Sequence, residues 1–166
     1  MNMVLKIVSG GQTGADRAAL DASIELGIQI GGWVPSNRWS EDGKLPIARY
    51  IGHYETKSGN PAVRTELNVR DSDATLIFSH GPLTGGSALT LKLAQIYNQP
   101  LLHINLLEFE TDGDVVQLIK DWINMNSPLW TLNVAGPRHS EDPEIYEDVK
   151  RVMIGLFCGK KPLILC

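Results

Sequence analysis

Short apolar runs alternate with segments of helical periodicity along the chain. The runs have the length of buried strands. They lie at Leu5–Val8, Ile28–Val34, Ala74–Phe78, Leu101–Ile104 and Leu132–Val134. Three further segments carry apolar residues at the i, i+3, i+4, i+7 spacing of a helix that covers a sheet on one side. These helices are predicted at about 15–26, 114–125 and 143–157.

A fourth helical segment, Ser87–Tyr97, is apolar nearly all round. A helix of that kind is typically enclosed by protein, so we predict it to be the most buried helix. The alternation of strands and helices indicates right-handed crossovers between parallel strands. The predicted fold class is therefore α/β, with a doubly wound, mainly parallel, Rossmann-like sheet. The length of 166 residues predicts one ligand-binding domain over residues 1–166.

Three strand-to-helix loops fall where such a sheet binds ligands, in the crevice at the carboxyl ends of the strands. They are 9–16, 79–87 and 133–141, and all are rich in glycine and in small hydroxyl or amide residues. The loop that follows 101–104 is apolar and acidic, and we expect it outside the site. The segment 35–61 has little periodicity but contains aromatic and charged residues, which favours a functional lid.

The first of these loops predicts an anion site. Gly10, Gly11 and Gly14 lie between the first strand and an alanine-rich helix. Glycine leaves backbone N–H groups accessible, and a helix start adds unsatisfied N–H donors and the positive end of the dipole. Gly85 and Gly86 have a similar position in the second loop. A phosphate-bearing ligand is the first hypothesis, although the spacing is neither GxGxxG nor GxxxxGK(S/T) and does not identify the ligand.

Hydroxyl, carboxyl and guanidinium groups accompany the glycines. Thr13 and Ser87 can donate to phosphate oxygens, although helix capping alone would explain Ser87. Asp16 lies in a first helical turn, where the dipole favours a carboxylate even without a ligand. It can also accept from a ribose or a pterin N–H, or orient an arginine. Arg138 is either a bidentate anion clamp or a solvated partner of the acidic residues after it.

The segment 64–73 precedes the second glycine loop. Arg64 and Glu66 can reach the crevice from it, or Glu66 can form a surface pair with Arg70 one helical turn away. The ligand-binding residues predicted from the three loops are Gly10, Gly11, Gln12, Thr13, Gly14, Asp16, Gly81, Thr84, Gly85, Gly86, Ser87, Asn133, Gly136 and Arg138. The lid residues predicted to cover the ligand are Trp33, Arg38, Trp39 and Arg64, although a tryptophan here can equally belong to the core.

Composition and charge narrow the function classes. Hydrophobic residues make up 43% and charged residues 20% of the chain, which is ordinary for a globular protein. A net charge of -4 argues against a nucleic-acid partner. No run approaches the roughly 18 apolar residues of a membrane helix, and the chain enters a strand at once, so we expect neither a membrane anchor nor a signal peptide.

The two cysteines and four histidines add little chemistry. Cys158 and Cys166 lack the paired spacing of a zinc or redox site, and free thiols fit a cytoplasmic protein. The histidines show no metal-ligand spacing, so no metal is expected. No nucleophile elbow, HExxH motif or clustered carboxylate pair is present in the sequence, and catalysis is therefore not evident from motifs.

Six stretches of the chain together are similar to one known family. They are Gly10–Asp16, Gly32–Pro35, Arg64–Val69, Asp71–Thr75, Gly85–Ser87 and Leu132–Arg138. They resemble the molybdenum-cofactor carrier family, which is also described as a circularly permuted branch of the SLOG group of Rossmann-like proteins and as related to the lysine-decarboxylase-like proteins. The resemblance runs from about Lys6 to about Tyr146, and it implies a SLOG-type fold and a homo-oligomer, either a dimer or a tetramer.

The resemblance implies a binding protein for a phosphorylated small molecule, either molybdenum cofactor (molybdopterin) or a nucleotide, and no other cofactor. One branch of the wider group consists of phosphoribohydrolases with a PGGxGTxxE motif. Here Ala88 and Leu89 stand at its Gly-Thr positions and Lys92 stands at its Glu position, so such an enzyme would need Glu66 or Asp16 as the acid. A nucleotide-sensor domain is the third alternative.

Overall fold

The computed structural model describes Val4 and residues 6–158. The elements in this part of the chain are β1 (Lys6–Val8), α1 (Ala15–Glu25), β2 (Gln29–Val34), β3 (Trp39–Ser40), β4 (Gly43–Lys44), β5 (His53–Glu55), α2 (Pro61–Arg70), β6 (Ala74–Ser79), α3 (Gly85–Ile96), β7 (Leu101–Asn105), α4 (Asp112–Met125), β8 (Thr131–Ala135) and α5 (Ile145–Phe157). Leu5 of the predicted first strand and Cys166 lie outside the described residues, whereas Cys158 is exposed and free.

Six strands form one sheet in the order β5-β2-β1-β8-β6-β7, and every neighbouring pair is parallel. Ile7 of β1 lies between Ile30 of β2 and Leu132 of β8. The predicted α/β class, the five predicted strands and the four predicted helices are confirmed. The structure adds β5 at the sheet edge, helix α2 and the short antiparallel hairpin β3–β4.

The helices lie on two faces of the sheet. Helix α5 packs between α1 and α4 on one face, and α2 packs against α3 on the other. The main core lies beneath the first face, where Ile7, Phe78 and Val149 are fully buried. Strand β1 leads to a helix on one face and β6 to a helix on the opposite face, with β8 between them. A ligand crevice is expected at this reversal.

The prediction that Ser87–Tyr97 is the most buried helix is wrong. Helix α1 buries eight of its eleven residues, whereas α3 buries only Ser87, Thr90 and Ala94, and its Ile96 is 65% exposed. The alanines of α1 let α5 approach closely on one side. Helix α3 lies on the face with two helices, so its outer side has no neighbour within the described chain.

Residues 35–60, which we call the strap, are fixed across α1. Tyr50 donates its hydroxyl to the buried carboxylate of Asp21 at 2.8 Å, and Arg49 donates to the same oxygen at 3.1 Å. Arg17 of α1 forms an ion pair with Asp42 of the strap at 3.1 Å. These contacts hold the strap at the carboxyl edge of the sheet. In the described part of the chain, no helix has the length and apolar character needed to cross a membrane.

Candidate functional site

A crevice of about 260 Å³ opens where the ends of β1, β6 and β8 meet α2 and the strap. We call it the crevice. The predicted residues that line it are Gln12, Asp16, Trp39, Arg64, Gly85, Gly86, Ser87, Gly136 and Arg138. The structure thus brings together residues from all three glycine loops, from α2 and from the strap.

Arg64 supplies a largely buried positive charge in the crevice. Its side chain is only 15% exposed. The guanidinium lies directly over Gly10, at the place where a Cβ would stand. Its Nε is buried without a hydrogen-bond partner, and the nearest carboxylate, that of Asp16, lies 3.7 Å from Nη1. A buried donor without an acceptor is costly, so this arrangement favours an anionic ligand.

Asp16 lies beside Arg64 and is 4% exposed. Its Oδ2 accepts the backbone N–H of Gln12 at 3.2 Å. Burial raises the pKa of Asp16 above its ordinary value, and the lowering by the nearby Arg64 and by the Gln12 hydrogen bond does not cancel this effect. Proton uptake by Asp16 would therefore leave the charge of Arg64 without a counterion.

The start of α3 supplies the second group of donors. Thr84 is the N-cap residue of α3, and its side chain accepts no hydrogen bond from the backbone N–H groups of the first turn. The N–H groups of Gly85 and Gly86 have no acceptor among the described residues. A Cβ added to Gly86 would meet only open space, so this backbone faces the crevice directly. Ser87, 5% exposed, adds a hydroxyl-bearing side chain that lines the crevice.

Arg138 lies between two glutamates at the rim. Its Nε is 3.3 Å from Glu141 Oε1 and 3.9 Å from Glu41 Oε2. The side chain is 44% exposed, so the ion pairs are solvent-screened and an incoming anion can compete for the guanidinium. Both interpretations of Arg138, anion clamp and partner of the acidic residues, are therefore compatible with its position.

Glu41 lies at the tip of the β3–β4 hairpin and accepts hydrogen bonds from Thr13, which was predicted to bind the ligand, and from Ser140. It accepts the N–H of Ser140 at 3.0 Å, the hydroxyl of Ser140 at 2.6 Å and the hydroxyl of Thr13. Desolvation raises the pKa of Glu41, but these hydrogen bonds outweigh it and lower the pKa below the ordinary value. Thr13 lines a different cavity, beneath the strap, and its role as a phosphate donor stays a prediction.

The first glycine loop packs closely against its neighbours, and the prediction that its N–H groups receive phosphate stays a prediction. A Cβ on Gly14 would lie 2.9 Å from the Cα of Arg138, and one on Gly11 would lie 2.8 Å from Leu45 Cδ2. The N–H of Gln12 is bound by Asp16, and the N–H of Thr13 is bound by the side chain of Gln12. These two donors are already satisfied within the protein.

Three other loop residues lie outside the crevice. The N–H of Gly81 donates to Asn105 at 2.8 Å. Thr84 lines a neighbouring cavity. Asn133 lines a small hollow below the crevice, which Gly10 and Arg64 also line.

Three residues predicted at the site lie elsewhere. Glu66 accepts the hydroxyl of Tyr97 at 2.8 Å on the exposed side of α2, so the structure does not place this acid in the crevice. Trp33 donates to Asp71 and packs against the ring of Tyr54, away from the crevice. Arg38 lines none of the cavities described here, although its Nε and Nη2 are buried without a hydrogen-bond partner.

The sequence did not single out two acidic residues of the site. Glu141 lines the crevice, and Glu41 secures the strap beside it. The Asp42-Gly43 pair is a hairpin-turn signal that would have placed Glu41 next to a turn. Ser40 pairs with Gly43, so Glu41 and Asp42 form the tip. The described residues contain no group of three or more histidine, cysteine or acidic residues that could hold a metal ion.

Comparison with known proteins adds two findings. Residues 7–157 match the profile of the family described as the circularly permutated YpsA SLOG family. The chain is also 46% identical to the crystal structure of a proposed molybdenum carrier protein from Syntrophus aciditrophicus. That likeness covers 93% of this chain and 95% of the other, with a TM-score of 0.87. No curated protein matches the chain.

Proposed function

The chain belongs to the circularly permutated YpsA SLOG family, and from that premise we propose that it binds a phosphorylated small molecule. The ligand is either molybdenum cofactor, which the protein would carry or store, or a nucleotide. The similar Syntrophus protein is described as a molybdenum carrier, which favours the first of these.

The buried guanidinium of Arg64 is the observation that carries the proposal. It faces the crevice, has a loose contact with Asp16 at 3.7 Å, and keeps its Nε without an acceptor. A phosphate group supplies several acceptor oxygens and pairs well with a planar guanidinium. A phosphorylated ligand in the crevice would give the Nε of Arg64 the acceptor that it lacks.

The start of α3 supports the same ligand class. The open N–H groups at Gly85 and Gly86 and the hydroxyl of Ser87 present donors to the crevice, where a helix N-terminus favours negative charge. Arg138 at the rim adds a second guanidinium. Trp39, which is 48% exposed and lines the crevice, offers an aromatic surface for the ring of the ligand.

A phosphoribohydrolase is the alternative function, and Asp16 is the observation that favours it. This carboxyl lies in the crevice with a raised pKa, as a general acid requires. Lys92, at the position of the hydrolase glutamate, is exposed. The binding function therefore remains our first proposal.

We further propose that the chain self-associates through the outer side of α2 and α3. Ile96 is 65% exposed, Tyr97 40% and Val63 36%, although α3 has the apolar composition of an enclosed helix. A second copy that packs its own α3 there would bury these side chains. An Ile96→Asp protein should then elute as a monomer in size-exclusion chromatography with light scattering. Leu107→Asp is the control and should not change the mass, because Leu107 is an exposed apolar residue outside this surface.

Native mass spectrometry of freshly purified protein, with extraction and identification of what it holds, tests the ligand class. We expect a phosphorus-containing small molecule on the wild-type chain and its loss from Arg64→Ala. Arg70→Ala is the matched control, because Arg70 lies on the same helix but pairs with Asp71 at the surface. A bound molecule without phosphate, or equal occupancy of the Arg64→Ala protein, would contradict the proposal.

A further inference from the structure

The cavity beneath the strap is larger than the crevice. Its volume is about 600 Å³, which lies within the range of roughly 300–1,000 Å³ that is usual for small-molecule sites. It is enclosed by α1, the start of α5 and the strap, with Arg17, Tyr50 and Tyr146 in its walls. We call it the strap cavity.

The strap cavity and the crevice are neighbours along two loops. Gln12 lines the crevice, and the next residue, Thr13, lines the strap cavity. Arg138 and His139 are divided in the same way. Glu41 lies at the boundary, because it accepts the hydroxyl of Thr13 and its Oε2 is 3.9 Å from Nε of Arg138. Consecutive Cα atoms are about 3.8 Å apart, so one phosphorylated heterocycle can reach both cavities.

The carboxylates in the walls of the strap cavity have partners. Asp21, which is 5% exposed, accepts the hydroxyl of Tyr50 at 2.8 Å and that of Tyr146 at 2.6 Å. Burial is the main cause that raises the pKa of both tyrosines, so their hydroxyls stay protonated and continue to donate. Asp42 forms its ion pair with Arg17. Within the described chain, the cavity therefore offers no free carboxylate to a cation.

The tyrosine rings are also covered by cations of the protein. The guanidinium carbons of Arg17 and Arg49 lie 5.4 Å and 5.6 Å from the centre of the Tyr50 ring, and Nζ of Lys150 lies 6.0 Å from the centre of the Tyr146 ring. A cationic ligand would thus gain little from these rings. An anion is disfavoured as well, because three carboxylates and one arginine line the cavity. The strap cavity therefore suits an uncharged group.

Arg17 supplies a hydrogen-bond donor for such a group. Its side chain is 13% exposed, and its Nε is buried without a hydrogen-bond partner in the described chain. Its two Nη atoms are already bound, to Asp42, to Ser40 and to the carbonyl of Gly11. Since a buried donor without an acceptor is costly, a carbonyl oxygen or a ring nitrogen of a ligand would stabilise this guanidinium.

We propose that the strap cavity binds the end of the ligand's ring system that lies farthest from the phosphate, and that Arg17 donates to an acceptor atom on it. Trp39 lines the crevice two residues before Glu41, where it would contact the near end of the same ring. Nucleobases and pterins both carry acceptor atoms, so either ring can be held in this way. The inference rests on the proposed function and deepens it.

Isothermal titration with inorganic phosphate, AMP, GMP and 6-hydroxymethylpterin phosphate measures what the ring adds. We expect one or more of the ring compounds to bind at least about tenfold more tightly than phosphate alone. Arg17→Lys keeps a cation beside Asp42 but removes the Nε donor. It should lower this ratio about tenfold, the effect of one hydrogen bond to a charged group, and leave the affinity for inorganic phosphate unchanged.

Arg49→Lys is the matched control and should retain the ratio. Arg49 also pairs with Asp21 and lies over the ring of Tyr50, but it does not line the strap cavity. A second measurement uses the unaltered protein. Nuclear Overhauser effects are expected between the ring protons of the tightest-binding probe and those of Tyr146, which lines the strap cavity and not the crevice. Their absence from a saturated complex overturns the inference, even if Arg17→Lys does not fold.

The inference and the proposed function fail in different ways. A ring that adds nothing to the affinity of phosphate, or a ratio that Arg17→Lys retains with an unchanged circular dichroism spectrum, overturns the inference alone. An equal loss of affinity for inorganic phosphate in Arg17→Lys also overturns it, because the arginine would then act on the crevice. The proposed function fails instead if inorganic phosphate does not bind, or if it binds equally well to Arg64→Ala.

Discussion

The guanidinium of Arg64 packs directly on the backbone of Gly10. The guanidinium of Arg64 lies where the Cβ of any other residue at position 10 would stand. The glycine at the end of β1 therefore brings a cation from α2 onto the backbone of the central strands. The crevice thus combines loops that lead to helices on one face of the sheet with a charged side chain from a helix on the other face.

The glycines of the site should divide into two classes on substitution. Gly14 has φ +74° and lies against the backbone of the third loop, so Gly14→Ala should lower the free energy of unfolding by about 2 kcal/mol. Gly86 faces open space, so Gly86→Ala should leave stability within about 1 kcal/mol of wild type but weaken anion binding. Urea unfolding and phosphate titration check both. Similar losses of stability in the two variants would refute the distinction.

Anion affinity should depend on the protonation of Asp16. Because burial raises the pKa of Asp16, its carboxyl takes up a proton above the ordinary value of 3.8 and then ceases to neutralise Arg64. Affinity should thus fall as the pH rises through this raised pKa. Titration with sulfate between about pH 4.5 and about pH 8 isolates the effect, since sulfate stays a dianion throughout this range.

Asp16→Asn should bind sulfate more tightly at high pH and lose most of the pH dependence. Glu141→Gln, which removes a carboxylate at the rim of the same crevice, is the control and should retain it. If the pH dependence persists unchanged in Asp16→Asn, another group titrates and this account of the crevice is wrong.

The hydrogen bonds of Glu41 should stabilise the strap at neutral pH. Glu41→Gln should lower the free energy of unfolding by about 1–2 kcal/mol near pH 7, because the amide cannot accept all three donors. The pKa of Glu41 is lowered in the folded protein, so its contribution is present above the unfolded value of 4.5 and is lost as the pH falls through the folded pKa.

The difference between wild type and Glu41→Gln should accordingly shrink in acid, as thermal unfolding at several pH values will show. Glu55→Gln on the exposed strand β5 is the matched control and should have no effect at any pH. A constant difference down to about pH 3 would mean that the charge of Glu41 contributes nothing.

No base release is expected from a panel of nucleoside monophosphates. Glu66 lies on the outer side of α2, and Lys92 takes the position of the hydrolase glutamate. Of the two acids proposed for the hydrolase reaction, only Asp16 lies in the crevice. Chromatography of the incubated nucleotides measures free base against buffer. Release that Asp16→Asn abolishes would assign an enzymatic role to Asp16 and displace the binding proposal.

The hydrophobic pattern predicts the sheet and most helices because each strand and helix carries its own periodicity. It also places the three glycine loops at one edge, since carboxyl ends of parallel strands share an edge. The exposure of Ile96 could not be predicted in this way, because an apolar helix does not reveal how many neighbours cover it. The number of neighbouring helices depends on the strand order of the sheet.

The individual roles at the site follow from contacts distant in sequence. Gly14 packs on Arg138, and Glu41 binds Thr13 and Ser140 across the strap. Such pairs leave no periodic signal, so a glycine that serves close packing has the same appearance in sequence as one whose backbone is open to a ligand. The structure distinguishes them through the atoms that a Cβ would meet.

The most direct test of phosphate binding in the crevice compares thermal stabilisation by a phosphorylated probe with that by its dephosphorylated form. Nucleotides and pterin phosphates are titrated against wild-type and Arg64→Ala protein, with Arg70→Ala as the control. Binding to the native state raises Tm by mass action, so a concentration-dependent increase that requires both the phosphate and Arg64 is predicted. Equal stabilisation by the dephosphorylated probes, or an undiminished increase in Arg64→Ala, would contradict the account.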